Sequence, residues 1–208
     1  MATKFPIFIF FFFLFISCYA LASVTAKEDT GFVGSPNREF LGLKRKERLS
    51  HFRFYWHDVV SGSNATAVQI VPSVPKYNTS TSFGLVRIID NALTLGPELG
   101  SKLVGRAQGL YASASQTHLD LLLVMNLALT QGKYNGSTIT VLGRNVAHSE
   151  VREMPVVGGS GLFRFARGYA EARTHSFDPM SGHATVEYNV YKIQNQGREN
   201  LPLKVTSL

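Results

Sequence analysis

Cysteine is almost missing from this chain: Cys18 is the only one, and it lies inside an apolar N-terminal run. A disulfide framework is therefore excluded for the chain beyond that run, and durability has to come from a filled core or from association of copies. Metal-ligand spacing is missing as well. Six histidines are present, but none falls in an H-x-H or H-E-x-x-H pattern, so no metal site is expected. No G-x-S-x-G elbow is found, so that serine-hydrolase signature is absent. Gly158-Gly159-Ser160-Gly161 has no Gly-Lys-Thr/Ser or helix pattern behind it and reads as a tight turn, not a phosphate cradle. The chain has no internal repeat and no heptad, and no apolar run fit to span about 30 Å of hydrocarbon. Apart from Lys44-Arg45-Lys46, basic residues do not cluster and none interleave with stacking aromatics, so a nucleic-acid partner is not expected.

What is present begins with an address. Lys4 supplies a short positive region, residues 5–16 are almost wholly apolar, and Ala20-Leu21-Ala22 has the small-x-small pattern of a cleavage site. Residues 1–22 therefore read as a secretory signal peptide, with Ala26 as the second choice of site. The mature chain is expected to be extracellular and free of membrane anchoring. Its net charge stays positive, which suits an anionic cell-wall polymer as a background partner. Three N-x-S/T triplets lie beyond the cleavage site, at Asn64, Asn78 and Asn135. Each sits in a turn-like stretch, and all are expected to be surface glycosylation sites. Residues 23–50 show no sustained period and read as a flexible arm, 51–193 as the folded domain, and 194–208 as a polar tail.

From His51 onward the period is two. Phe52, Phe54, Trp56 and Asp58 share one face of a strand, and Arg53, Tyr55 and His57 the other. Further strands are expected at 66–71, 83–89, 103–112, 119–129, 137–142, 163–174 and 184–190. Turn signals separate them at Asn91, Gly96-Pro97, 132–136, 158–161 and Asp178-Pro179. The Leu-rich 119–129 run also suits a helix, but its neighbours argue for a buried strand. Eight strands with hairpin-length connections indicate an all-β fold, an antiparallel barrel or sandwich. Closure would abolish exposed edges, and an eight-stranded barrel can hold one small ligand.

Three residues stand out as carriers of chemistry. Alternation places Asp58 on an apolar face, where burial would raise its pKa into a range useful for acid–base work; capping of the following turn is the competing role. Arg152, in Glu150-Val151-Arg152-Glu153, is either a solvated charge between two acids or a pocket cation. Tyr111 lies on a strand of small residues that would leave room around a phenolic donor, or it is simply a core tyrosine.

Four segments resemble the plant dirigent family: Phe54-Tyr55-Trp56-His57-Asp58, Val104-Gly105-Arg106-Ala107-Gln108-Gly109-Leu110-Tyr111, Tyr134-Asn135-Gly136-Ser137-Thr138, and the run from Val156-Val157-Gly158-Gly159 to Ala166-Arg167-Gly168. The resemblance implies an eight-stranded antiparallel β-barrel of the dirigent and allene oxide cyclase type, usually trimeric (or else dimeric), glycosylated and apoplastic. It implies a protein without cofactor or oxidising centre, which steers phenoxy radicals or quinone methides of phenylpropanoid metabolism. A separate laccase or peroxidase would supply the radicals. Family positions carry over onto Asp58, Tyr111 and Arg152 as the catalytic set, with Asn145, Phe54, Trp56, Phe163 and Phe165 as substrate-binding residues. Asn145 stands where lignan-forming members carry a second pocket aspartate, and the terminal cysteine pair of those members is absent. A branch resembling pterocarpan synthase, which dehydrates a hydroxyisoflavanol, is therefore the alternative activity, and a phenolic-binding wall protein the third.

Overall fold

The computed structural model describes residues 47–195, Thr79 excepted. The expected signal segment, the expected arm up to residue 46 and the tail beyond Asn195 lie outside the described residues. Nine strands follow one another: β1 (Glu47–Asp58), β2 (Ala67–Val71), β3 (Val86–Thr94), β4 (Leu103–Ser113), β5 (Asp120–Leu129), β6 (Thr138–Val146), β7 (Arg152–Gly159), β8 (Arg167–Phe177) and β9 (Ala184–Asn195). Their hydrogen-bonded order is β1-β9-β8-β7-β6-β5-β4-β3-β2, and β1 also pairs with β3. That last pairing closes the ring, so the eight strands other than β2 form an antiparallel barrel. β2 occupies the half of the β3 edge that β1 leaves open: β1 meets Ala92–Thr94, and β2 meets Val86–Ile89.

The all-β barrel agrees with the alternation in the sequence. The expected set of eight strands, however, counted β2 and lacked β7. In β7 the buried Met154 and Val156 alternate with exposed Glu153, Pro155 and Val157, a period-two signal interrupted to the eye by proline. Pro155 is tolerated because β6 and β7 pair only through Ile139–Val141 and Val156–Gly159. The half of β7 that begins at Arg152 has no ladder to β6, so the missing N–H costs nothing on that side. Two boundaries also move. β1 begins at Glu47, which pairs with Asn195, so both strands run beyond the expected ends at His51 and Val190.

Inward residues fill the barrel strand by strand. On β5, Leu123, Met125 and Leu127 are fully buried while Leu122 and Asn126 are exposed, so the Leu-rich run is a strand and not a helix. One glycine is dictated by closeness. A Cβ on Gly109 would lie 2.1 Å from the Val124 carbonyl oxygen on β5, which leaves no room for any side chain.

The two ends of the barrel differ in chemistry. One end is plugged by Phe52, Tyr134 and Phe163, whose ring centroids lie 5.1–5.6 Å apart, with the Lys192 ammonium 3.9 Å above the Phe163 ring. Burial lowers the pKa of that lysine to about 7. The other end, where β1 finishes and β3, β7 and β9 start, carries a set of polar side chains. Outside, Val68, Ile88, Leu110, Val124 and Leu142 are successive register partners across five strands and form an outward apolar row.

Candidate functional site

Asp58 ends β1 on the inward face, above Trp56 and Phe54. Its Oδ1 accepts a hydrogen bond from Asn91 Nδ2 at 3.0 Å, and its Oδ2 accepts one from the Tyr111 hydroxyl at 3.0 Å. The turn after β1 is closed by other groups, the Thr66 and Ala67 N–H groups on the Val59 carbonyl. Asp58 is therefore a lumen acid and not a turn cap. Burial is the largest influence and pushes its pKa up; the Asn91 and Tyr111 bonds and the charges of Arg87 and His183 pull it back without cancelling that effect. The Tyr111 phenol is pushed well above the ordinary range, by its own burial first and then by the Asp58 charge. It stays protonated and donates.

Arg152 opens β7 and is 5% exposed. Its Nε donates to Asn145 Oδ1 at 3.1 Å, and its Nη1 to Thr174 Oγ1 at 2.8 Å and to the Ser149 carbonyl at 3.3 Å. Burial pulls its pKa down. Neither flanking glutamate pairs with it: among the described residues no carboxylate forms an ion pair with this cation. The Asn145–Arg152 bond spans the stretch where β6 and β7 have no ladder. Asn145 therefore orients the guanidinium. The amide cannot supply the proton that an aspartate in its place could.

Between the acid and the cation stands Tyr188 of β9. It is fully buried, its ring 6.0 Å from Phe54 (stacked) and 6.2 Å from Trp56 (edge-on). Its pKa is raised by burial, and it feels the charges of both Arg152 and Asp58. The Tyr188 hydroxyl and Trp56 Nε1 have no hydrogen-bond partner among the described residues.

The structure thus brings Asp58, Tyr111, Arg152, Asn145, Phe54 and Trp56 to one half of the lumen. It places the other two expected residues elsewhere. Phe163 belongs to the aromatic plug at the far end, and Phe165 is 48% exposed on a left-handed backbone with φ 61°, outside the barrel. Their stretch is not a strand, because the chain turns through a 3-10 segment, Gly161–Phe163, before β8 begins. Asn64, Asn78 and Asn135 are all exposed.

Three functional side chains escaped the sequence reading. Asn91 is a turn former by composition, yet it is fully buried within β3, in phase with Ile89 and Leu93. Arg87 shares that phase. Tyr188 lies in phase with Val186 and Val190 on β9. Parity along these strands was the available signal.

A buried carboxyl of raised pKa, two phenols, a cation with no ion-pair partner among the described residues and an aromatic wall give this half of the barrel interior the chemistry of a class suited to oxygenated aromatic molecules. The comparisons with known proteins make that class specific. A Dirigent-like protein family model matches residues 49–193. Dirigent protein 7 of Arabidopsis thaliana is 54% identical over 170 residues, covering 82% of this chain and 89% of that one. Pterocarpan synthase 1 of Glycine max is 47% identical over 178 residues, covering 85% and 95%. A solved pterocarpan synthase dirigent protein superposes with a TM-score of 0.69 at 43% identity, covering 79% of this chain and all of the other. The chain belongs to the dirigent family.

Proposed function

We propose that the lumen binds a phenol bearing a benzylic hydroxyl and closes it to a cyclic ether through a quinone methide, with Asp58 as the acid. The observation that carries this reading is the Asp58 carboxyl, buried, of raised pKa and held in place by Asn91 and Tyr111. In the first step Asp58 gives its proton to the benzylic hydroxyl. The C–O bond breaks, water leaves, and the electron pair of the substrate's phenolate forms the quinone methide. In the second step an internal phenol adds to the methide carbon and returns its proton to Asp58, which restores the phenolate. Arg152 faces that oxygen in both steps, as an arginine with no carboxylate partner among the described residues can. Holding a single near-attack geometry sets the configuration of the product.

The pterocarpan synthase relatives support the dehydrative reading and the dirigent protein relatives support directed coupling equally; Asn145 in place of a second acid favours dehydration. Secretion, action outside the cell and glycosylation at Asn64, Asn78 and Asn135 belong to the same proposal; a fall in mass on enzymatic deglycosylation of the plant-expressed protein tests the last. Self-association of copies is supported by the outward apolar row.

The decisive assay supplies a hydroxyisoflavanol with no oxidant and follows water loss by chromatography on a chiral phase. Asp58→Asn should lower the rate by roughly 100-fold or more, as loss of a general acid does. Because Asp58 acts protonated, the wild-type rate should fall as pH rises through its elevated pKa. Turnover unchanged in the variant would remove Asp58 from the chemistry. Turnover by neither protein, with enantiomeric bias only when laccase and coniferyl alcohol are supplied, would replace dehydration by directed radical coupling.

A further inference from the structure

Arg87 lies on β3 in phase with Ile89, Asn91 and Leu93, all buried in the barrel. It is half-buried at the end of the lumen that holds Asp58. Its two hydrogen bonds both leave from Nη1, to the Val60 carbonyl at 3.2 Å and the Ala67 carbonyl at 3.3 Å. Five N–H donors are available on a guanidinium, so Nε and Nη2 keep theirs without a partner among the described residues. Asp58 and Tyr111 both feel its charge, yet no ion pair joins it to Asp58 among the described residues. The cation is near the acid without being spent on it.

Topology then sets its place relative to Arg152. Around the closed ring, β3 reaches β7 through β4, β5 and β6 in one direction and through β1, β9 and β8 in the other. The two arginines therefore stand on diametrically opposed strands, with Asp58, Tyr188 and Tyr111 on strands between them.

We propose that Arg87 is a second oxygen-binding subsite. It takes an anionic oxygen substituent, carboxylate or phenolate, at the end of the ligand remote from the ring oxygen that Arg152 holds. This inference rests on the lumen being the phenol-binding site. It makes the preferred substrate class one with oxygen functions at both ends, and it assigns Arg87 to specificity while the chemistry stays with Asp58. The guanidinium suits the role because its planar fork matches carboxylate and phenolate oxygens and is always charged.

The competing role is a latch that fastens the β1–β2 connection through Val60 and Ala67. Arg87→Gln separates the two, since the amide still donates to those carbonyls but carries no charge; Arg87→Lys keeps the charge and loses the fork. Trp56, the only tryptophan, lies in the lumen and reports binding by its fluorescence. Titration uses two probes with the same ring, ferulate with its carboxylate and coniferyl alcohol without one. In Arg87→Gln the dissociation constant for ferulate should rise roughly tenfold to hundredfold, the loss of one charge-assisted hydrogen bond. That for coniferyl alcohol should stay within about twofold, and Arg87→Lys should fall between wild type and Arg87→Gln for ferulate. Equal weakening of both probes, or of neither, overturns the subsite and leaves the latch. Failure of the wild type to bind either probe overturns the lumen reading itself, and the subsite falls with it. Thermal melts of each variant show that the barrel is folded in every comparison.

Discussion

Two tyrosines in the lumen should answer the same chemical change with opposite signs. Replacing Tyr188 by Phe deletes a hydroxyl that is fully buried and unpartnered among the described residues. The ring stays against Phe54 and Trp56, so no cavity opens. An unsatisfied buried polar group costs about 1–3 kcal/mol, and the variant should recover that amount. For a domain of this size 1 kcal/mol moves the melting temperature by about 2–4 °C, so Tyr188→Phe should melt several degrees higher than wild type. Replacing Tyr111 by Phe deletes the donor to Asp58 Oδ2. A hydrogen bond to a charged group contributes about 1.5–3 kcal/mol, and Tyr111→Phe should melt lower by a comparable amount at pH values above the raised pKa of Asp58, where the carboxyl is ionised. That deficit should shrink as pH falls, because the bond favours the ionised carboxyl and is lost as Asp58 protonates. Differential scanning fluorimetry at several pH values, on the protein without ligand, reads all of this. A lower melting temperature for Tyr188→Phe, or a higher one for Tyr111→Phe, would refute the hydrogen-bond assignment on which the site is built. The stable Tyr188→Phe should also be the poorer catalyst, since its hydroxyl stands within the field of both Asp58 and Arg152.

Lys192 has a folded pKa of about 7, against 10.5 for an ordinary lysine. The unfolded chain binds the extra proton between those values, so stability should rise with pH from about 7 to 10.5. Lys192→Met should flatten that rise in equilibrium denaturation and gain most over wild type at pH 6; a parallel pH profile in the variant would place the effect elsewhere. Gly109→Ala drives a methyl to 2.1 Å from a backbone oxygen and should destabilise by about 2 kcal/mol or more, read as a lower urea midpoint. Ile88→Glu places a charge in the outward apolar row; elution unchanged from wild type on size-exclusion chromatography would argue against that row as the contact between copies.

What a single strand's alternation implies was legible in the residues. Phe52, Phe54, Trp56 and Asp58 share the inward face as their spacing of two requires, and β5 is a strand despite its helix-like composition. Motif matching to relatives located Asp58, Tyr111 and Arg152. The losses came where one residue type carries two meanings. Asn91 favours turns in general, but here it is the donor that fastens the acid. Pro155 argues against a strand, but here it lies where β7 is paired with β8 alone and has no ladder to β6. Phe163 and Phe165, two residues apart, read as one strand face; a 3-10 turn and a left-handed residue send one into the plug and the other to solvent.

The sequence by itself determined the class of fold and the inward face of β1, Asp58 included, because side-chain period is a local property. Only the tertiary structure decided that Asp58 meets Asn91 and Tyr111, that Arg152 is steadied by Asn145 and paired with no carboxylate among the described residues, and that Tyr188 stands between them. Those facts depend on which strands become neighbours and in what register. The closing contact between β1 and β3 settles that register for the whole ring, and no local period encodes it.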